Sequence, residues 1–97
     1  MDHRLYIVAY DISDPKRWRR IFKLMKGYGE WVQLSVFQCR LTPPQHAELI
    51  ALLDPIINHN EDHIIILDLG PAASIMPRVV SLGKAEFSPI ELEPVVI

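Results

Sequence analysis

The stretch RLYIVAYDISDP, residues 4–15, decides the fold of this chain. Its first part, Arg4–Tyr10, is β-branched and aromatic and too short for a helix, which predicts a strand. Asp11-Ile12-Ser13 reads as a turn. Asp14 before Pro15 predicts a helix start, because an aspartate side chain accepts from free backbone N–H groups and a proline at the first helical position has none to leave unsatisfied. Leu5–Tyr10 does not alternate apolar and polar residues, so a strand built from it needs cover on both faces.

Outward from that start, Trp18, Ile21, Phe22, Met25 and Tyr28 recur at i, i+3, i+4, i+7 and i+10, with Leu24 widening the stripe. This is the apolar face of an amphipathic helix, and Gly27 and Gly29 are expected to cap its end. Glu30–Leu41 is β-rich and twelve residues long, with no Gly or Pro inside it. It predicts two short antiparallel strands, roughly Trp31–Leu34 and Val36–Leu41, pivoting near Ser35; one long bent strand is the alternative. Thr42-Pro43-Pro44 predicts a second capped helix, with His46, Leu49, Ile50, Leu53 and Ile57 on one face and Pro55 ending it after Asp54. His63–Leu69 reads as a strand closed by Gly70-Pro71, and Arg78–Leu82 as a weaker fifth strand.

The order β-α-β-β-α-β predicts an α+β, ferredoxin-like sandwich with both helices on one face of an antiparallel sheet. Residues 1–97 form one domain in this reading, with a core at about 4–82 and a C-terminal tail over 83–97. Neither Leu5–Tyr10 nor Ile64–Leu67 alternates, yet two helices cover one face only. A second copy, packed sheet to sheet about a two-fold axis, is the simplest cover for the other. The tail, with Ile90, Val95, Val96 and Ile97, is expected to add an extra C-terminal strand to the partner's sheet. Its alternative is to fold back on its own.

Composition narrows the class. The chain has 97 residues, 49% hydrophobic and 23% charged, with mean hydropathy +0.13. That balance excludes a disordered tail, and no apolar run approaches the ~18 residues of a membrane span. Met1-Asp2-His3-Arg4 leads straight into the first strand with no charged-then-apolar leader, so a cytoplasmic protein is expected. The single cysteine, Cys39, has no partner for an internal disulfide.

The net charge of −2 conceals an asymmetry. Residues 1–48 sum to +3 and residues 49–97 to −5. Six of the ten Lys and Arg residues, from Lys16 to Lys26, fall in one eleven-residue window. Arg19, Lys23 and Lys26 follow i, i+4, i+7, and Lys16, Arg20 and Lys23 make an overlapping row. No acidic residue between Pro15 and Gly29 offsets them, and such a stripe suits contacts to a phosphate backbone.

Asp11 is the first candidate to carry chemistry, with a plain turn residue as the alternative. It ends a strand that should be central and precedes a helix start. One carboxylate makes a poor Mg²⁺ site, but a two-fold dimer presents two copies, which are expected to share one Mg²⁺ and activate water. Asp14 reads as a cap. Ser35 and Phe37 read as structural hairpin residues, a turn hydroxyl and a core aromatic, since no His/Asp pattern supports a nucleophilic serine. His59 and His63 are i, i+4 across the loop-like Asn60-Glu61-Asp62, and no zinc site is expected.

Tyr10-Asp11-Ile12-Ser13-Asp14, the basic helix ending in Gly27-Tyr28-Gly29, and Val32-Gln33-Leu34-Ser35-Val36-Phe37 together resemble the CRISPR-associated protein 2 family over about residues 4–82. The resemblance implies a ferredoxin-like homodimer that binds duplex DNA and bridges CRISPR-associated integrase subunits during spacer acquisition. For some members it also implies a metal-dependent endonuclease acting on RNA or double-stranded DNA, with Asp11 as the metal and catalytic residue. Arg17 and Arg20 match basic family positions, and Arg17, Arg19, Arg20 and Lys23 are the expected nucleic-acid contacts. Where the family often has basic residues this chain has Trp18 and Trp31, and where an acidic residue often follows Ser-Val-Phe it has Gln38. The alternative is a toxin-like metal-dependent ribonuclease of the same fold, unconnected to adaptation. No membrane partner is expected.

Overall fold

A computed structural model describes residues 2–78 and 80–83. Its elements run β1 (Arg4–Asp11), α1 (Pro15–Lys26), β2 (Glu30–Gln33), β3 (Val36–Leu41), α2 (Pro43–Leu53), β4 (His63–Pro71) and a short 3-10 turn, Ala72–Ser74. The sheet order is β2-β3-β1-β4, with every neighbouring pair antiparallel. This is the expected ferredoxin-like α+β sandwich, and β1 is central in it.

Both helices begin as their caps predict. The Asp14 carboxylate accepts from the Arg17 N–H at 3.0 Å, with Pro15 in the first turn, and Lys23 and Lys26 lie at the C-terminal end where the helix dipole favours cations. In α2 the Thr42 hydroxyl accepts from the Gln45 N–H at 3.3 Å while the Gln45 side chain accepts from the Thr42 N–H at 2.9 Å, a reciprocal capping box.

The core lies between the helices and one sheet face. Tyr6, Val8 and Tyr10 of β1 and Phe37, Cys39 and Leu41 of β3 point into it, meeting Ile21 and Met25 of α1 and Leu49 and Leu53 of α2. Burial pushes the Cys39 thiol up to about 12, so it stays a neutral packing group. An aromatic group continues this core to the β2 edge: Trp18 stacks on Phe22 with centroids 5.1 Å apart, and Phe22 meets Phe37 and Trp31 edge-on.

The β2–β3 hairpin turns near Ser35 as expected, while β4 and the segment after it depart from the sequence expectations. The hairpin turn at Leu34-Ser35 needs no glycine, because Leu34 itself takes a positive φ of 44°. β4 does not stop before Gly70-Pro71 but runs through them by way of a bulge at Leu69, and Gly70 has the left-handed φ of 116° that permits it. The expected strand over 78–82 is absent among the described residues 78 and 80–82. Pro77 precedes that segment, and Val80 and Leu82 are exposed, without the packing a strand needs. The C-terminal strand expected beyond Gly83 lies outside the described residues.

The second sheet face is uncovered over much of its area. Ile7 and Ala9 of β1 share it with Ile65 and Leu67 of β4. Ile65 is 45% and Leu67 51% exposed, an apolar surface that runs from central β1 onto the edge strand β4. No helix among the described residues is long and apolar enough to cross a membrane.

Candidate active site and nucleic-acid surface

Asp11 sits at the C-terminal end of central β1, exposed, on the same face as Ile7 and Ala9. No hydrogen bond or ion pair engages its carboxylate among the described residues. The turn that follows it is held firmly from across the molecule. The Ser13 N–H donates to Asp62 Oδ1 at 3.1 Å, Arg17 Nε donates to Asp62 Oδ2 at 2.7 Å, and the Asn58 N–H donates to the same oxygen at 2.8 Å. The Asp62 side chain is 0% exposed. The Arg17 guanidinium holds its carboxyl far below the usual carboxylate range, with the two N–H groups adding to the effect and burial opposing it. This clamp fixes the start of α1, and with it the strand end that carries Asp11.

Arg17, one of the expected nucleic-acid contacts, is thus engaged within the fold, and its terminal nitrogen also donates to Glu61 Oε1 at 3.1 Å. The acidic partners that α1 lacks locally come from a loop 44 and 45 residues away. Arg19, Arg20 and Lys23 are exposed and have no ion-pair partner among the described residues, as does Lys16. Lys26 lies over the Phe22 ring at 5.5 Å. The basic stripe remains a solvent-facing surface without Arg17.

Ser35 is structural, as expected. Its hydroxyl accepts from Trp18 Nε1 at 2.8 Å and its carbonyl from the Tyr10 N–H at 3.0 Å, which ties the hairpin to α1 and to the end of β1. Phe37 is fully buried in the core. Trp18 and Trp31, both departures from the basic family pattern, pack in the aromatic group instead of presenting charge.

A hard cation fits the chemistry at Asp11, since the carboxylate is exposed and not committed elsewhere. One copy cannot complete a ligand set: no group of three or more His, Cys, Asp or Glu side chains converges among the described residues. Completing such a site needs more ligands than one copy's His, Cys, Asp and Glu side chains supply among the described residues.

These features define a class: small ferredoxin-like proteins with a lone strand-end carboxylate beside a basic helix. The description of the family CRISPR associated protein Cas2 matches residues 4–74. The chain is 53% identical over 97 residues, all of both chains, to a Geobacter sulfurreducens protein named CRISPR-associated endoribonuclease Cas2. It is also 53% identical to a Rhodospirillum rubrum protein named CRISPR-associated endoribonuclease Cas2 1, over 95% of this chain and 89% of that one. The crystal structure of Streptococcus pyogenes Cas2 at pH 6.5 superposes with TM-score 0.72 at 36% identity, covering 81% of this chain and 99% of the other. The chain belongs to the Cas2 family.

Proposed function

We propose that this protein acts in CRISPR adaptation as a homodimer that grips duplex DNA through α1 and bridges integrase subunits. The observation that carries the nucleic-acid reading is the exposed row Arg19, Arg20 and Lys23, with Lys16, which meets no acidic partner among the described residues. Cations of this kind contact phosphates without reading bases, so binding is expected to be tolerant of sequence and strongly dependent on salt. Reversing Arg20 and Lys23 to Glu should weaken duplex binding about tenfold or more at about 0.1 M salt and lower the salt slope by about 2. Titrations of a labelled duplex at several salt concentrations check this. Unchanged affinity and slope would put the DNA elsewhere.

A second reading, a metal-dependent endonuclease, is favoured by the exposed and uncommitted Asp11 and by the endoribonuclease names of the relatives. In a sheet-to-sheet dimer the two Asp11 carboxylates would hold Mg²⁺, which when bound supplies Lewis acidity toward a phosphodiester. Asp11 binds, the Asp62–Arg17–Ser13 clamp orients the strand end, and the basic stripe holds the nucleic acid. The toxin-like ribonuclease reading shares this chemistry but needs no integrase. A failure to bind an integrase subunit alongside intact cleavage of RNA would favour it.

A further inference from the structure

His63 opens β4 directly opposite Asp11 at the end of β1. Residues that face each other across an antiparallel pair project to the same side, with Cβ atoms about 4.5–5.5 Å apart. Both side chains are exposed, and both lie on the open face with Ile65 and Leu67. Like Asp11, His63 has no hydrogen-bond or ion-pair partner among the described residues. The other histidines of the body of the domain are occupied: His46 stacks on Tyr6 with centroids 4.4 Å apart, and His59 Nε2 lies 3.3 Å from the Asp54 carboxylate.

An imidazole nitrogen and a carboxylate oxygen each bind a first-row metal at about 2.0–2.2 Å, a span that a facing cross-strand pair can bracket. We infer that His63 is a second protein ligand at the Asp11 site, so that two copies meeting at the open face offer two carboxylates and two imidazoles in place of carboxylates alone. This rests on the reading of Asp11 as a metal residue in a dimer. It adds a consequence that reading does not have. A set of carboxylates and waters suits Mg²⁺, whereas added imidazole nitrogen favours Mn²⁺ and the later first-row ions.

The test is Mn²⁺ binding to the full chain, read by electron paramagnetic resonance, with competition by Mg²⁺ and with electron spin-echo modulation to detect directly bound nitrogen. Wild type should bind Mn²⁺ at least about tenfold more tightly than Mg²⁺ and show imidazole nitrogen. His63→Ala should lose the nitrogen signal and most of the Mn²⁺ preference, with its melting temperature unchanged because the side chain is exposed. His63→Asp, which returns an oxygen donor, should recover affinity without the nitrogen signal. Absence of nitrogen coupling in wild type, or its persistence in His63→Ala, overturns the assignment even when Asp11→Asn abolishes Mn²⁺ binding. Mn²⁺ binding that survives Asp11→Asn unchanged overturns the Asp11 reading itself.

Discussion

Asp11→Asn is expected to reduce metal-dependent cleavage of RNA or duplex DNA by at least about 10²-fold while leaving the fold and duplex affinity intact. The reasons are local. The carboxylate is exposed and has no hydrogen-bond or ion-pair partner among the described residues, so its replacement by the isosteric amide breaks no such bond. The neighbouring turn is held by Asp62 through Ser13 and Arg17, so the strand end keeps its place in the variant. The basic stripe lies further along α1 and is untouched. Cleavage, melting temperature and duplex binding measured on wild type and variant side by side separate these effects. Equal cleavage by both proteins would remove Asp11 from the chemistry, and a large fall in melting temperature would recast it as a structural residue.

The largest effect on stability is expected at Gly29. A Cβ placed there would lie 2.5 Å from the Gln38 carbonyl oxygen and 3.1 Å from Cys39 Cα, and would run into Cys39 Sγ as well. Two of those obstacles are backbone of β3, which is locked between β2 and β1 and cannot give way cheaply. Overpacking of this kind costs about 1–3 kcal/mol. For a domain of this size Gly29→Ala should lower the melting temperature by roughly 10 °C. Gly27→Ala is the control: its nearest obstacle is the Leu24 carbonyl oxygen at 3.4 Å, an ordinary contact distance, and a shift of no more than about 2–3 °C is expected. Thermal melts of the two variants check the pair, and similar shifts for both would contradict the packing account.

Gly29 also marks where sequence reading stops. Both glycines read as helix caps: Gly27 is the C-cap residue, with an ordinary right-handed φ of −83°, and the Gly29 N–H also donates to the Met25 carbonyl at 2.9 Å. Gly29 is needed where the turn between α1 and β2 approaches β3 closely, and nothing in the local pattern carries that. The strand and helix order was legible because each start has its own chemistry: Asp14-Pro15, Thr42-Pro43-Pro44 and the 3.6-residue period of α1. The uncovered sheet face was legible too, since strands that fail to alternate need cover on both sides. Long-range pairings were not. Arg17 looked like part of a free basic stripe, because its carboxylate partners at 61 and 62 are remote in sequence. His63 looked like one member of an i, i+4 histidine pair across a loop, and only the register of β4 against β1 reveals Asp11 as its neighbour.

The proposed site needs two copies to complete it, and in the proposed dimer the exposed Ile65 and Leu67 beside Ile7 and Ala9 would be the surface on which they meet. Sedimentation velocity on the full chain at micromolar concentration tests this most directly. A species of twice the 11.2 kDa chain mass, converted to monomer by Leu67→Glu, is the predicted result. A wild-type protein that sediments as an 11.2 kDa monomer would contradict the account.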